Sequence, residues 1–195
     1  MDKRAAADLA RSGISVTDAE AAGMFYAKDA RELYPEFKPL PALVIPYFDV
    51  NGEPVLFDKD KPFCRVRYLE AASPASFIKQ KPQRYGQPQA SGTRAYFPNV
   101  EGLSWAKAQG DESPLIITEG EKKALATTLA GFTTIGLGGV YNWLHGGALL
   151  PELQAFQWKG REVYIAFDSD AALNPNIQAA EARLVEELMR GRGAL

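Results

Sequence analysis

From Leu115 onward, short apolar runs alternate with amphipathic stretches, and this rhythm predicts the chain's main architecture. LIIT (115–118) is a run fit for a buried strand, and EGEKKALATTLAG (119–131) repeats its apolar positions at helical spacing before stopping on Gly131. TTIGL (133–137) reads as a second strand, followed by Gly138-Gly139, and NWLHGGALLPELQAF (142–156) as a broken helical segment. EVYIAF (162–167) is a third strand and NIQAAEARLVEELMRG (176–191) a closing helix. Strands separated by helices are the grammar of a doubly wound α/β sheet with parallel strands. The chain stops at Leu195, where another strand of such a sheet is expected, as in a truncated chain or a sheet completed by a partner.

The pattern upstream is different. Residues 1–37 read as short helices, one closing on Gly13 and a second opening at Ser15 with an acid three residues on. No basic recognition helix follows them, so a DNA-reading helix-turn-helix is not expected. LVIPYFDVNG (43–52) ends on Asn51-Gly52, a hairpin signal, and PVLFD (54–58) and FCRVRYLEA (63–71) resume the strand pattern, predicting a small antiparallel sheet. Alternation in FCRVRYL puts Arg65 and Arg67 on one face and Cys64, Val66 and Tyr68 on the other. Residues 78–95 are polar, broken by Gly and Pro, and read as a loop; 95–114 reads as a short strand or turn and a linker. The expected division is a helical segment 1–38, a small α+β basic subdomain 39–112 and an α/β domain 113–195.

Composition narrows the chemistry. One cysteine, Cys64, excludes an internal disulfide, and with a single histidine, His145, it cannot make a four-ligand Cys/His zinc site. Any metal must therefore be held by oxygen. No apolar run approaches the roughly 20 residues of a membrane span and no signal peptide is evident, so a cytoplasmic location and no membrane partner are expected. The net charge of −2 conceals a division. Residues 61–94 carry Lys61, Arg65, Arg67, Lys79, Lys81, Arg84 and Arg94 against Glu70, a balance of +6 that leaves −8 for the remainder. Such a window is either a solvated face or a phosphate-tracking surface, and Tyr85 between Arg84 and Gly86 adds an aromatic platform of the kind that stacks bases.

In open parallel sheets, ligands bind beyond the carboxyl ends of the strands. Two of the predicted strands end in acids there. Glu119 follows LIIT, and Asp168-Ser169-Asp170 follows EVYIAF. Two residues apart on an extended chain, Asp168 and Asp170 point the same way and suit a hard cation, for which Mg2+ is the natural choice and Mn2+ the alternative. Glu119 remains as a base or a ligand to a second ion. Paired metals and one positioned carboxylate can neutralise and deprotonate the partners of phosphoryl transfer. Acids at helix N-termini also stabilise the helix dipole, the structural alternative.

TEGEKKALA, IGLGGV and AFDSDAALNPNIQAAEARL together resemble the Toprim domain of bacterial-type primases, topoisomerases and some nucleases. That resemblance implies a catalytic Glu119 and magnesium on Asp168 and Asp170. VIPYFDVNGEPVLF, FCRVRYL and RYGQP resemble the basic N-terminal subdomain of the primase polymerase core, which guides template DNA. The chain also resembles the Toprim-like DUF3854 domain of phage and plasmid replication proteins, often joined to a helicase, and these resemblances together cover roughly residues 40–192. They imply a Toprim-like (Rossmann-like) fold and magnesium-dependent nucleotidyl transfer. The implied partners are nucleoside triphosphates, a single-stranded DNA or RNA template held by Arg65, Arg67, Lys79, Lys81 and Arg84, and a fused or separate helicase. Lys123 stands where the family's motif often carries Asp. Lys122, Lys123, Gly138 and Gly139 are candidates for phosphate, although the lysines also suit a polar helix face and GLGGV a plain turn. A Toprim nuclease and a non-catalytic single-strand-binding module are the alternative functions.

Overall fold

The computed structural model describes residues 1–70, 83–167 and 174–195. Two compact units account for it, one of residues 1–47 and 54–92, the other of 48–53 and 93–195.

The first unit contains helices α1 (Lys3–Ala10) and α2 (Val16–Ala21), strand β1 (Phe25–Ala27), a short 3-10 turn (Ala30–Glu32), and strands β2 (Ala42–Pro46), β3 (Leu56–Asp58), β4 (Lys61–Pro62), β5 (Cys64–Tyr68) and β6 (Tyr85–Gly86). Both helices start where the sequence offers a cap. The Asp2 and Ser15 side chains accept from the backbone N–H groups of Arg4 and Asp18, satisfying donors that a helix start leaves orphaned. β1, β2, β5 and β6 form an antiparallel sheet in that order, with Val44 opposite Val66 and Arg67 opposite Tyr85. The expected alternation along β5 is present. Cys64, Val66 and Tyr68 are buried in a cluster with Ala27, Ala30, Phe37 and Val44, while Arg65 and Arg67 on the other face are half-buried. The stretch expected to be a loop contributes β6, because Tyr85 and Gly86 complete the ladder of β5.

The second unit contains β7 (Ala95–Tyr96), α3 (Trp105–Gly110), β8 (Leu115–Glu119), α4 (Glu121–Leu129), β9 (Thr134–Leu137), β10 (Leu144–His145), β11 (Ala148–Leu149), α5 (Pro151–Gln154), β12 (Val163–Ala166) and α6 (Pro175–Arg192). Its main sheet runs β12-β8-β9-β7. β8 is parallel to both β12 and β9, and β7 is an antiparallel edge, so the sheet is mixed. Leu115, Ile117, Ile135 and Leu137 pack one face against Leu184 and Leu188 of α6 and against Trp105, Trp143, Phe156 and Trp158. The opposite face carries α4. There Gly136 has no room for a side chain, since a Cβ would lie 3.0 Å from Ala124 Cβ and 3.1 Å from Tyr96 Cδ1.

Two expectations change. The segment 142–156 is a β10–β11 hairpin followed by the short α5, because Gly146 and Gly147 take positive φ values of 59° and 86° and turn the chain at once. The short strand or turn expected at the start of 95–114 is β7, and the stretch read as a linker after it carries α3, whose Trp105 is buried in the core. α1 belongs with the small sheet through Asp8, which is 2% exposed and accepts from Arg67 Nε at 2.6 Å. β7 belongs with the larger sheet through its pairing with β9. No described helix is long and apolar enough to cross a membrane.

Burial in the small sheet pushes the Cys64 thiol from its ordinary value near 9 up to about 12. An acid kept neutral by folding contributes stability that is complete below the unfolded value and lost as pH rises toward the folded one. The stability advantage of wild type over Cys64→Ala, from urea unfolding, should therefore be constant up to pH 9. It should then shrink by about 2 kcal/mol by pH 10.5, at about 1.4 kcal/mol per unit.

Candidate functional site

The carboxyl end of β8 gathers the candidates of the second unit. Glu119 is the last residue of the strand, half-buried, and lies opposite Leu137 in the parallel register with β9. Gly120 turns the chain directly into α4 with φ +100°, a conformation that a side chain resists, and its N–H donates to Leu137 O at 2.7 Å. Gly138 and Gly139 follow Leu137, so the turn after β9 is on the same rim as Glu119. The Gly139 carbonyl accepts from Asn142 N at 2.8 Å, closing that turn.

On the other side, β12 ends in register with the same point. Ala166 pairs with Thr118, and the buried Thr118 hydroxyl donates to Ala166 O at 2.6 Å. This bond fastens the ends of the two strands that lead into the acids. Phe167 comes next and packs against the core. Asp168 and Asp170 lie outside the described residues. Among the described residues, no group of three or more His, Cys, Asp and Glu side chains could hold a metal ion. Of the carboxylates proposed for a metal, Glu119 alone is among them, and its oxygens are hard donors of the kind magnesium takes.

The first turn of α4 contains more charge at this rim than the sequence pattern suggested. Lys122 is 8% exposed and Lys123 half-buried, so the pair does not form a solvated helix face. Glu121 is 1% exposed. Burial first, and the neighbouring Glu121 carboxylate second, push the Tyr96 phenol well above its usual value. The only signal for Glu121 in the sequence is its place two residues after Glu119.

The basic candidates belong to the first unit. Both Arg65 and Arg67 hold their guanidinium carbons 5.2 Å from the centre of the Tyr85 ring, and Arg67 Nη1 donates to Tyr85 Oη at 3.1 Å. Arg67 also pairs with buried Asp8, so much of its charge is answered inside the fold. Arg84, one residue before Tyr85, is exposed, and its carbonyl accepts from Tyr68 N at 2.9 Å. Lys79 and Lys81 lie outside the described residues.

Comparison with known proteins adds to this geometry. Residues 104–194 match the family described as a domain of unknown function, DUF3854. The DUF3854 match starts at Ser104, the N-cap of α3, and takes in the whole parallel sheet with the Glu119 rim. An uncharacterized protein of Picosynechococcus sp. is 32% identical over 143 residues, covering 54% of this chain and 14% of that protein. The fold is similar to that of the zinc-binding and RNA polymerase domains of the Aquifex aeolicus primase, with a TM-score of 0.59 and 16% identity over 99% of this chain and 48% of that one. The chain thus spans a small part of its sequence relative and about half of its structural one.

The Thr118 hydroxyl sets the spacing of the two strand ends, and its removal has a defined cost. Thr118→Val keeps the volume and leaves Ala166 O without this donor, so a loss of about 1 kcal/mol is expected in urea unfolding.

Proposed function

We propose that the chain is a primase-like module in which a Toprim-type sheet carries out magnesium-dependent nucleotidyl transfer on a nucleic-acid template. The observation that carries the reading is Glu119 at the carboxyl end of a strand with parallel neighbours on both sides, in a fold similar to a primase over 99% of its length. The match to DUF3854 over the same rim is consistent with it.

In this reading Glu119 takes the proton from the attacking hydroxyl at its carboxylate oxygen, where the Gly120 turn and the register with Leu137 hold it. Asp168 and Asp170 would hold magnesium, which supplies neutralising charge to the triphosphate when bound. Lys122, Lys123 and the backbone of Gly138 and Gly139 receive phosphate oxygens at the rim. Arg84, with Arg65 stacked on Tyr85 and with Lys79 and Lys81, tracks the template. Arg67 acts chiefly as a support, positioning the Tyr85 ring through its bonds to Asp8 and the phenol.

The test is incubation of the chain with single-stranded DNA, labelled ribonucleoside triphosphates and Mg2+, with products separated by size. Short labelled RNA is expected from wild type, with Glu119→Gln and Asp168→Ala at least about a hundredfold slower. Arg84→Ala should weaken template binding at every sequence and reduce its salt dependence by about one phosphate contact. Loss of the DNA strand without synthesis would contradict nucleotidyl transfer and favour a nuclease using the same carboxylates.

A further inference from the structure

The face of the small sheet opposite Arg65 and Arg67 opens into a cavity of about 700 Å3, entirely within the first unit. Its floor is Val44, Pro46 and Cys64, and its walls are aromatic. Tyr34 meets Phe57 edge-on with ring centres 5.5 Å apart, Phe63 closes the base, and Phe25 at the mouth is 44% exposed. A large apolar surface left open beside a packed core marks a binding site more often than a packing fault.

The charge around the mouth decides what fits. Glu32 and Glu36 come from one wall, at the 3-10 turn and just after it, and Asp58 and Asp60 from the other, at the turn between β3 and β4. Lys61 is the one cation among the described lining residues, and its ammonium is held by Asp58 at 2.9 Å. Three carboxylates are thus left in excess around an aromatic trough. Phosphate would be repelled here, so this is not a second nucleic-acid surface. Acids on both walls, rather than at a single point, suit an occupant that brings cations at several positions along its length. Apolar side chains of the same occupant would fill the trough.

We propose that this cavity docks a basic, apolar-containing peptide segment of a partner protein, with lysine or arginine side chains on the rim acids and a leucine-sized side chain between Phe25 and Phe57. The small sheet then has two differently charged faces with separate tasks. Its docking face does not depend on the assignment of nucleotidyl transfer to the other unit.

The test uses fluorescence anisotropy of a fluorescein-labelled Lys-Leu-Arg-Leu-Lys amide peptide with the full chain. Two variants are compared: one combines Glu32→Gln, Glu36→Gln, Asp58→Asn and Asp60→Asn, and the other is Phe25→Ala. All altered acids and Phe25 are solvent-exposed, so both variants should keep the wild-type circular dichroism and unfolding midpoint. Binding by wild type, weakened at least about tenfold in the four-acid variant and severalfold in Phe25→Ala, is the expected result. A Glu-Leu-Glu-Leu-Glu peptide should not compete. Equal binding by wild type and the four-acid variant would overturn the proposal, as would an unchanged affinity in Phe25→Ala. Displacement by arginine amide at concentrations as low as those of unlabelled peptide would also overturn it, by pointing to a small cation instead.

Discussion

Strand β8 has hydrogen-bonded parallel neighbours on both sides, with helix α4 on one face of the sheet and α6 on the other. A strand with neighbours on both edges and helices on both faces tolerates few choices. Its odd positions must be large and apolar, as Leu115 and Ile117 are, and the facing position on β9 must be Gly136 for α4 to approach. The same enclosure defines where chemistry can occur. At the carboxyl end of the strand the chain has an acid, a left-handed glycine and the first turn of a helix in succession. Glu119 is thus displayed by a rigid element, which suits a group that must hold a proton in one place.

The first unit is organised by charge. Strand β5 sends Arg65 and Arg67 to one face and its apolar residues to the other, and the acids of the surrounding turns collect on the apolar side. A buried acid–base pair, Asp8 with Arg67, joins α1 to the sheet. Removing one partner of such a pair leaves an unanswered charge and costs several kcal/mol, so this pair ties the helix to the strand whatever its net worth. The charge excess of residues 61–94 therefore overstates the surface available for phosphate, since part of it is answered within the fold.

Much of the larger unit was legible in the sequence because its elements announce themselves locally. LIIT, TTIGL and VYIA are compact apolar runs, α4 ends beside a glycine, and Asn51-Gly52 makes a turn with Gly52 at positive φ. What escaped is what depends on distant partners. β6 has two residues and exists only through its pairing with β5. α3 is six residues of unremarkable sequence, fixed from outside by buried Arg161, whose Nη2 donates to Ala108 O at 2.7 Å. Lys122 and Lys123 suit a polar helix face in the sequence, since burial of charge cannot be seen in periodicity. Of the candidate site, Glu119 and the glycine turn after β9 were placed together by the strand pattern alone. The Thr118 hydroxyl bond to Ala166, between residues 48 apart, has no local signature.

On the proposed function, Asp168 and Asp170 bind a divalent metal for work on nucleotides. Titration calorimetry of Mg2+ and Mn2+ into wild type and into the Asp168→Ala, Asp170→Ala double variant, with nucleoside triphosphate present, tests it most directly. The proposed function requires metal binding in wild type that disappears in the double variant. Absence of binding in wild type, or equal binding in both proteins, would contradict it.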